Sequence, residues 1–277
     1  MLLAGQEEGI PYSLSRWTDL PAAKWPWFKE QLNQGWMWAV DPRSGVPCRW
    51  SLAPEDTRAL VFWTRDPRNL ILDRVLLTPY QVQVHLTVTG WGEVEHKAPT
   101  LREGVGLLRD VSAVYGPSSI VWRFSPVPVV EDVVDRFERI LEAAVGLVSK
   151  VYIAFLQTND RMGDPRSIEE RVSILTQLSQ KGQAAGIEVL LCNEDAGLIT
   201  GRKVSSCVKT GVCVSTLGLT SPGKKDPITE GCGCVLMADP FTINESCIFG
   251  CEFCYAADQT LSPKKRNTAR HLPMVRL

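Results

Sequence analysis

Short apolar runs rich in β-branched and aromatic residues alternate with longer stretches of helical period along the first three quarters of the chain. The runs Tyr12 to Trp17, Ala59 to Thr64, Val82 to Val88, Ile120 to Phe124, Lys150 to Leu156 and Ile187 to Cys192 predict six strands. Between them, Pro21 to Gln34, Leu101 to Tyr115, Val130 to Val148 and Ser167 to Ala185 predict helices. Asp19 stands where an N-cap is expected, with Pro21 in the first turn, and Ile168, Val172, Leu175 and Leu178 share one face of the last helix. Alternation of this kind is the pattern of βα units around a parallel sheet, and it fits a (β/α) barrel. After Cys192 the periodicity gives way to Gly, Ser, Thr, Pro and Cys, including the polar stretch Thr220 to Gly231. A loop region that long in a compact domain is usually functional or disordered, and its cysteines argue for ordering by metal.

The chain has 277 residues, 44% of them hydrophobic, which suits one domain with a sizeable core. Residues 1–191 read as the βα body, and 192–277 as a cysteine-rich segment completing the same domain. With 30 basic and 31 acidic residues the net charge is -1, so overall charge gives no general attraction to nucleic acid or membrane. No window approaches about 18 uninterrupted apolar residues, and the N-terminus lacks the pattern of a secretory signal, so a cytoplasmic protein without membrane association is expected.

Nine cysteines change the picture. Cys48 stands alone and reads as a small buried hydrophobe. The other eight crowd the last third, in a chain too large and too apolar for a disulfide scaffold. Cys247, Cys251 and Cys254 form C-x3-C-x2-C, with Phe253 before and Tyr255 after the last cysteine. Zinc sites favour C-x2-C pairs and two-cluster ferredoxins run C-x2-C-x2-C-x3-C, so this order points to an iron-sulfur cluster held by three thiolates with one iron left open. Zinc and metal-free thiols are the alternatives. Cys192, Cys207, Cys232 and Cys234, with Cys213 as a fifth, could close an auxiliary cluster or a zinc site, or remain thiols.

The triplet resembles the radical S-adenosylmethionine (SAM) signature. The segments SRWTDLPA (15–22), VFWTRDP (61–67), WRFSPV (122–127), CNED (192–195), CGCV and CIFGCEFCYA resemble, in this order, a bacterial family of unknown function predicted to be radical SAM-like. The resemblance implies a 4Fe-4S cluster on Cys247, Cys251 and Cys254, SAM bound at the open iron, and its reductive cleavage to methionine and a 5'-deoxyadenosyl radical that abstracts hydrogen. It also implies an electron donor such as flavodoxin or ferredoxin. Radical SAM enzymes place their triplet after the first barrel strand, whereas here it comes late. A partial or circularly permuted radical SAM-like barrel, whose cluster loop occupies the same mouth, accounts for that. The glycine-glycine-glutamate motif that often holds the SAM amino group does not occur at its usual place.

The C-terminal strand ends of a βα barrel collect its working groups. Arg16, Asp19, Thr64, Arg65, Thr87, Thr89, Arg123, Gln157 and Glu194 fall there. Arg16, Asp19, Thr64, Phe253 and Tyr255 are the candidate cofactor contacts. Arg123, flanked by Trp122 and Phe124, should meet a carboxylate, that of SAM or of Asp19 or Glu194, as a catalytic and cofactor-binding group; a structural salt bridge is the alternative. Glu194 could take the SAM amino group or simply face solvent. His85, His96 and His271 have no metal-like spacing, and His85 reads as a satisfied sheet residue. A basic tail containing Lys264, Lys265, Arg266 and Arg270, with Trp17, Trp63 and Trp91 as stacking surfaces, suggests a nucleotide or nucleic-acid base as substrate. The rival reading is a non-catalytic zinc or iron-sulfur module for binding or electron transfer.

Overall fold

Strand β1 (Ile10–Leu14) leads through α1 (Leu20–Ala23) and α2 (Trp25–Gln34) to a hairpin of β2 (Trp36–Val40) and β3 (Pro47–Ser51). Then follow β4 (Thr57–Thr64), α3 (Arg68–Leu72), α4 (Arg74–Leu77), β5 (Val82–Thr87), α5 (Leu101–Tyr115), β6 (Ile120–Phe124), α6 (Val133–Ala144), β7 (Lys150–Ile153), α7 (Ile168–Ala184), β8 (Glu188–Cys192) and β9 (Lys209–Gly211). This computed structural model describes residues 10–41, 46–156, 163–192, 209–211, 237–241 and 247–254.

Local chemistry sets these boundaries. Helix α5 begins at a capping box, with Glu103 N–H donating to Thr100 Oγ1 and Thr100 N–H to Glu103 Oε2. Ser167 and Glu170 repeat the device at α7. Asp19 caps α1 by accepting from Ala22 N–H at 3.1 Å, as expected. The single helix predicted over residues 21–34 is two, because Pro26 in the first turn of α2 has no N–H with which to continue α1. Gly35, in the left-handed region at φ 78°, ends α2 and turns the chain into the hairpin.

The main sheet is parallel throughout, in the order β1-β4-β5-β6-β7-β8-β9, six strands of four to eight residues followed by the three-residue β9. One face meets the helices: Phe62, Leu86, Trp122, Phe124, Ile153 and Leu191 are fully buried in one core with Phe137, Leu108 and Leu175. Trp122 stacks on Phe137 at 5.0 Å and donates its Nε1–H to Val88 C=O. The opposite face carries Ser13, Gln83, His85 and Tyr152, all essentially inaccessible, where one expects apolar residues.

The architecture is therefore α/β with a parallel sheet, as the alternation predicts, but barrel closure does not follow from it. β1 and β9 stand at the two ends of the order. A further segment, 237–239, lies along β1 opposite β4 through a parallel bridge between Tyr12 and Ala238, with Ser13 N–H donating to Ala238 C=O at 2.8 Å. Among the described residues no helix is long and apolar enough to cross a membrane.

Helix α7 packs closely on β8 through Gly182. A Cβ there would stand 2.2 Å from Val189 Cγ2 and 2.9 Å from Ile187 C=O. Gly182→Ala is expected to destabilise the fold by about 1–3 kcal/mol, read as a lower urea midpoint with an unchanged slope.

Candidate functional site

The C-terminal ends of β1, β4 and β5 hold the groups that surround the cysteine triplet. Asp19, five residues beyond β1, binds that segment to β4: its Oδ1 accepts from Thr64 Oγ1 at 2.7 Å and its Oδ2 from Arg65 N–H at 2.7 Å. Burial pushes this carboxyl up to about 6, against the pull of its three hydrogen-bond donors. Arg65 then reaches across to Glu95 Oε1 at 2.6 Å, and Glu95 Oε2 accepts from Thr89 Oγ1 at 2.6 Å. Both members of the ion pair are largely buried, their side chains 13% and 4% exposed. Desolvation alone would lower the Arg65 pKa; Glu95 first, then Cys251 and Cys254, more than offset it.

The segment 247–254 docks against the loop that follows β5. Glu252 N–H donates to Val94 C=O at 3.1 Å, His96 Nε2 meets Glu252 Oε1 at 3.1 Å, and Phe253 stacks on Trp91 at 5.3 Å with 11° between the planes. Trp91, Val94 and Leu156 form a small apolar cluster that receives Phe253. The Arg65 guanidinium lies 5.9 Å from the centre of the Phe253 ring. Phe253→Ala is expected to leave the sheet intact and release this loop. Backbone amides of 251–254 should then exchange roughly tenfold faster or more, while those of β4 to β6 keep their protection.

Cys48, Cys247, Cys251 and Cys254 are free thiols among the described residues. Burial pushes the Cys251 thiol up to about 12, with Arg65 acting against it and the charges of Glu95, Cys254 and Cys247 adding to it. Burial also raises Cys247, whose sulfur accepts from the backbone N–H groups of Phe249 and Asp19. Burial thus favours the protonated form of both thiols, and metal ligation would have to displace their protons. Among the described residues no group of three or more His, Cys, Asp or Glu side chains is gathered closely enough to hold a metal ion.

Asp19, Thr64, Arg65, Thr89 and Phe253 thus come together around the triplet. Arg16 is nearby on the β1 side, its N–H donating to Asp239 Oδ2 at 3.0 Å. Arg123 lies on the face of the sheet opposite the helices, its guanidinium 5.1 Å from the centre of the Trp63 ring. Cys48 is partly buried on β3 against the main core, as a hydrophobe would be. Gln157, Glu194, Tyr255, Cys207, Cys213, Cys232 and Cys234 lie outside the described residues, as do the stretch 220–231 and the basic tail. Of Cys192 only the backbone is described, in β8 opposite Gly211.

Two residues here have no counterpart in the sequence reading, while Trp91, expected as a stacking surface for a base, stacks instead on Phe253. Glu95 sits in an aperiodic loop, and only its position just past a strand end marks it. Asp239 is buried and accepts from Ser13 Oγ, Ser15 Oγ, Arg16 N–H and Phe241 N–H. Its signal was the short apolar run VLMA before it, which reads as one more strand with an acidic residue at its C-terminal end.

No curated protein matches the chain. One family does, over residues 12–256, which take in both the sheet and the cysteine triplet: the chain belongs to the family described as a domain of unknown function, DUF1848.

Proposed function

We propose that the chain is a radical SAM-type iron-sulfur enzyme in which Cys247, Cys251 and Cys254 hold a 4Fe-4S cluster. The observation that supports this most is the position of segment 247–254 at the C-terminal ends of β1, β4 and β5 in a parallel sheet, where α/β folds collect their catalytic groups. A late triplet in the sequence therefore reaches the place that an early one would occupy.

The donor set suits such a cluster. Three free cysteines fall within eight residues, and the Arg65 guanidinium beside Cys251 favours its thiolate. Backbone N–H groups of Phe249 and Asp19 already donate to the Cys247 sulfur, the kind of contact that tunes cluster potential. A cluster would require the three thiols to draw together, as metal sites that are not pre-formed do. Held by Cys247, Cys251 and Cys254, a 4Fe-4S cluster would supply an open iron as a site for SAM and would pass on the electron needed to break its C–S bond.

The chain's own residues do the rest. Phe253 and Trp91 shield the mouth from water, Glu95 fixes Arg65, and Asp19 ties the β1 and β4 ends that form its floor. Segment 237–239 supplies a further parallel neighbour beside β1, at the end of the sheet away from β9, where the last strand of a permuted barrel would lie. An external one-electron donor such as flavodoxin or ferredoxin is required, and free thiols suit a reducing cytoplasm. Anaerobic reconstitution with iron and sulfide should yield a brown protein with a broad visible band and about four irons per chain. A colourless protein that takes up one zinc would end this reading in favour of a structural metal module.

A further inference from the structure

A cavity of about 580 Å³ lies between α4, the turn that leads into β5 and the connection from α5 to β6. Because the sheet is parallel, this is the end where β5 and β6 begin, opposite to the cysteine mouth. The volume is in the range of small-ligand cavities. Its apolar lining is Val75, Leu77, Val82 and Val114, of which Leu77 and Val82 are buried. Tyr80 and Tyr115 are fixed beside them, since their hydroxyls donate to Leu52 C=O and Leu70 C=O, both at 2.7 Å. With those hydrogens engaged, the two phenols can only accept from a ligand.

The donors of the cavity are Arg74, Gln81, Ser118 and Ser119, whose side chains have no hydrogen-bond or ion-pair partner among the described residues. Arg74 is the one cation in the lining, which contains no carboxylate. Asp73, its neighbour in the chain, is held elsewhere by Trp25 Nε1 at 2.6 Å and Lys29 Nζ at 3.0 Å. The Arg74 charge does reach the cavity: burial pushes the Tyr115 phenol up to about 12, and Arg74 acts against that rise. The surroundings are apolar as well. Leu72, Val75 and Leu76, on α3 and α4, are 74%, 73% and 41% exposed, three large apolar side chains within five residues. Single exposed apolar residues mean little, but a run of them beside a cavity marks a surface that another molecule covers. One cation beside an apolar wall selects an amphiphile with one negative charge. A carboxylate matches the guanidinium fork and balances its charge, whereas a phosphate monoester brings nearly two charges. An extended peptide would need a free strand edge, and β5 and β6 are interior strands.

We propose that this cavity binds a small amphipathic carboxylate, with its charged end on Arg74 and its apolar body against Val82 and Val114. The site is remote from the cysteines and does not rest on the radical SAM reading. Octanoate, 1-octanol and octylamine, matched in their apolar bodies, are titrated separately into the full chain. The methyl ¹H–¹³C signals of Val75 and Val114, assigned by their loss in Val75→Ala and Val114→Ala, report binding. Saturable shifts are expected with octanoate, at an affinity roughly fivefold or more above that of octanol, with octylamine the weakest. Arg74 is exposed, so Arg74→Gln should leave the fold intact while bringing octanoate to within about twofold of octanol. No saturable shift with octanoate, equal affinities for the three compounds, or an undiminished preference for octanoate in Arg74→Gln would overturn the proposal.

Discussion

Cys251→Ala is expected to yield a colourless protein after anaerobic reconstitution, with iron falling from about four per chain to less than about one. Cys251 is the middle member of the triplet and the most buried, 7% exposed, and it is the cysteine on which Arg65 acts most directly. Two thiolates cannot hold a cubane whose fourth iron is already open, so the loss should be near complete rather than graded. The fold should survive, because the thiol is small and the loop is also anchored by Phe253 on Trp91 and by the Glu252 to Val94 hydrogen bond. Far-UV circular dichroism and the urea midpoint of the metal-free protein should therefore change little. Cys48→Ala, on β3, is the matched control and should keep its full iron content. Iron retained in Cys251→Ala at the parental level would show that the triplet is not the ligand set.

Glu95→Ala should produce the largest loss of stability among changes at the mouth, about 3–5 kcal/mol, because it strands the largely buried Arg65 guanidinium and removes the partner of Thr89. A surface ion pair would cost less than about 1 kcal/mol, so urea unfolding distinguishes the two cases. Arg65→Met in the same chain should recover much of the loss, since it takes away the charge that Glu95 compensates. The metal-free Glu95→Ala protein should also lose amide protection in 251–254. A loss below about 1 kcal/mol, or no recovery in the double variant, would mean that Arg65 finds another partner.

The sheet was legible because its strands are short apolar runs bounded by clear helix signals. The run IVWRF gives β6 from Ile120 to Phe124 to the residue, and α5 is equally clear between its Thr100 cap and Gly116. The hairpin was not legible. WMWAV has no alternation that separates it from a buried helical turn, and its partner strand contains Pro47 and Arg49. Barrel closure could not be read either, since it depends on pairing between distant segments rather than on local period.

At the site, Asp19, Thr64 and Arg65 followed from their place at strand ends, and the triplet from its spacing. Glu95 did not, because nothing local distinguishes it from Glu93 two residues earlier, which is exposed and faces Arg136. The burial of His85 against Trp63 was equally hidden: alternation in VQVHLTV assigns it a face, but only the fold shows that this face is enclosed.

The central claim is that this mouth cleaves SAM. The most direct measurement is to incubate anaerobically reconstituted, dithionite-reduced protein with SAM and assay 5'-deoxyadenosine and methionine by mass spectrometry. The account predicts both products in equal amounts, dependent on reductant and abolished in Cys251→Ala. A protein carrying its full cluster that leaves SAM intact under strictly anaerobic reduction would contradict it.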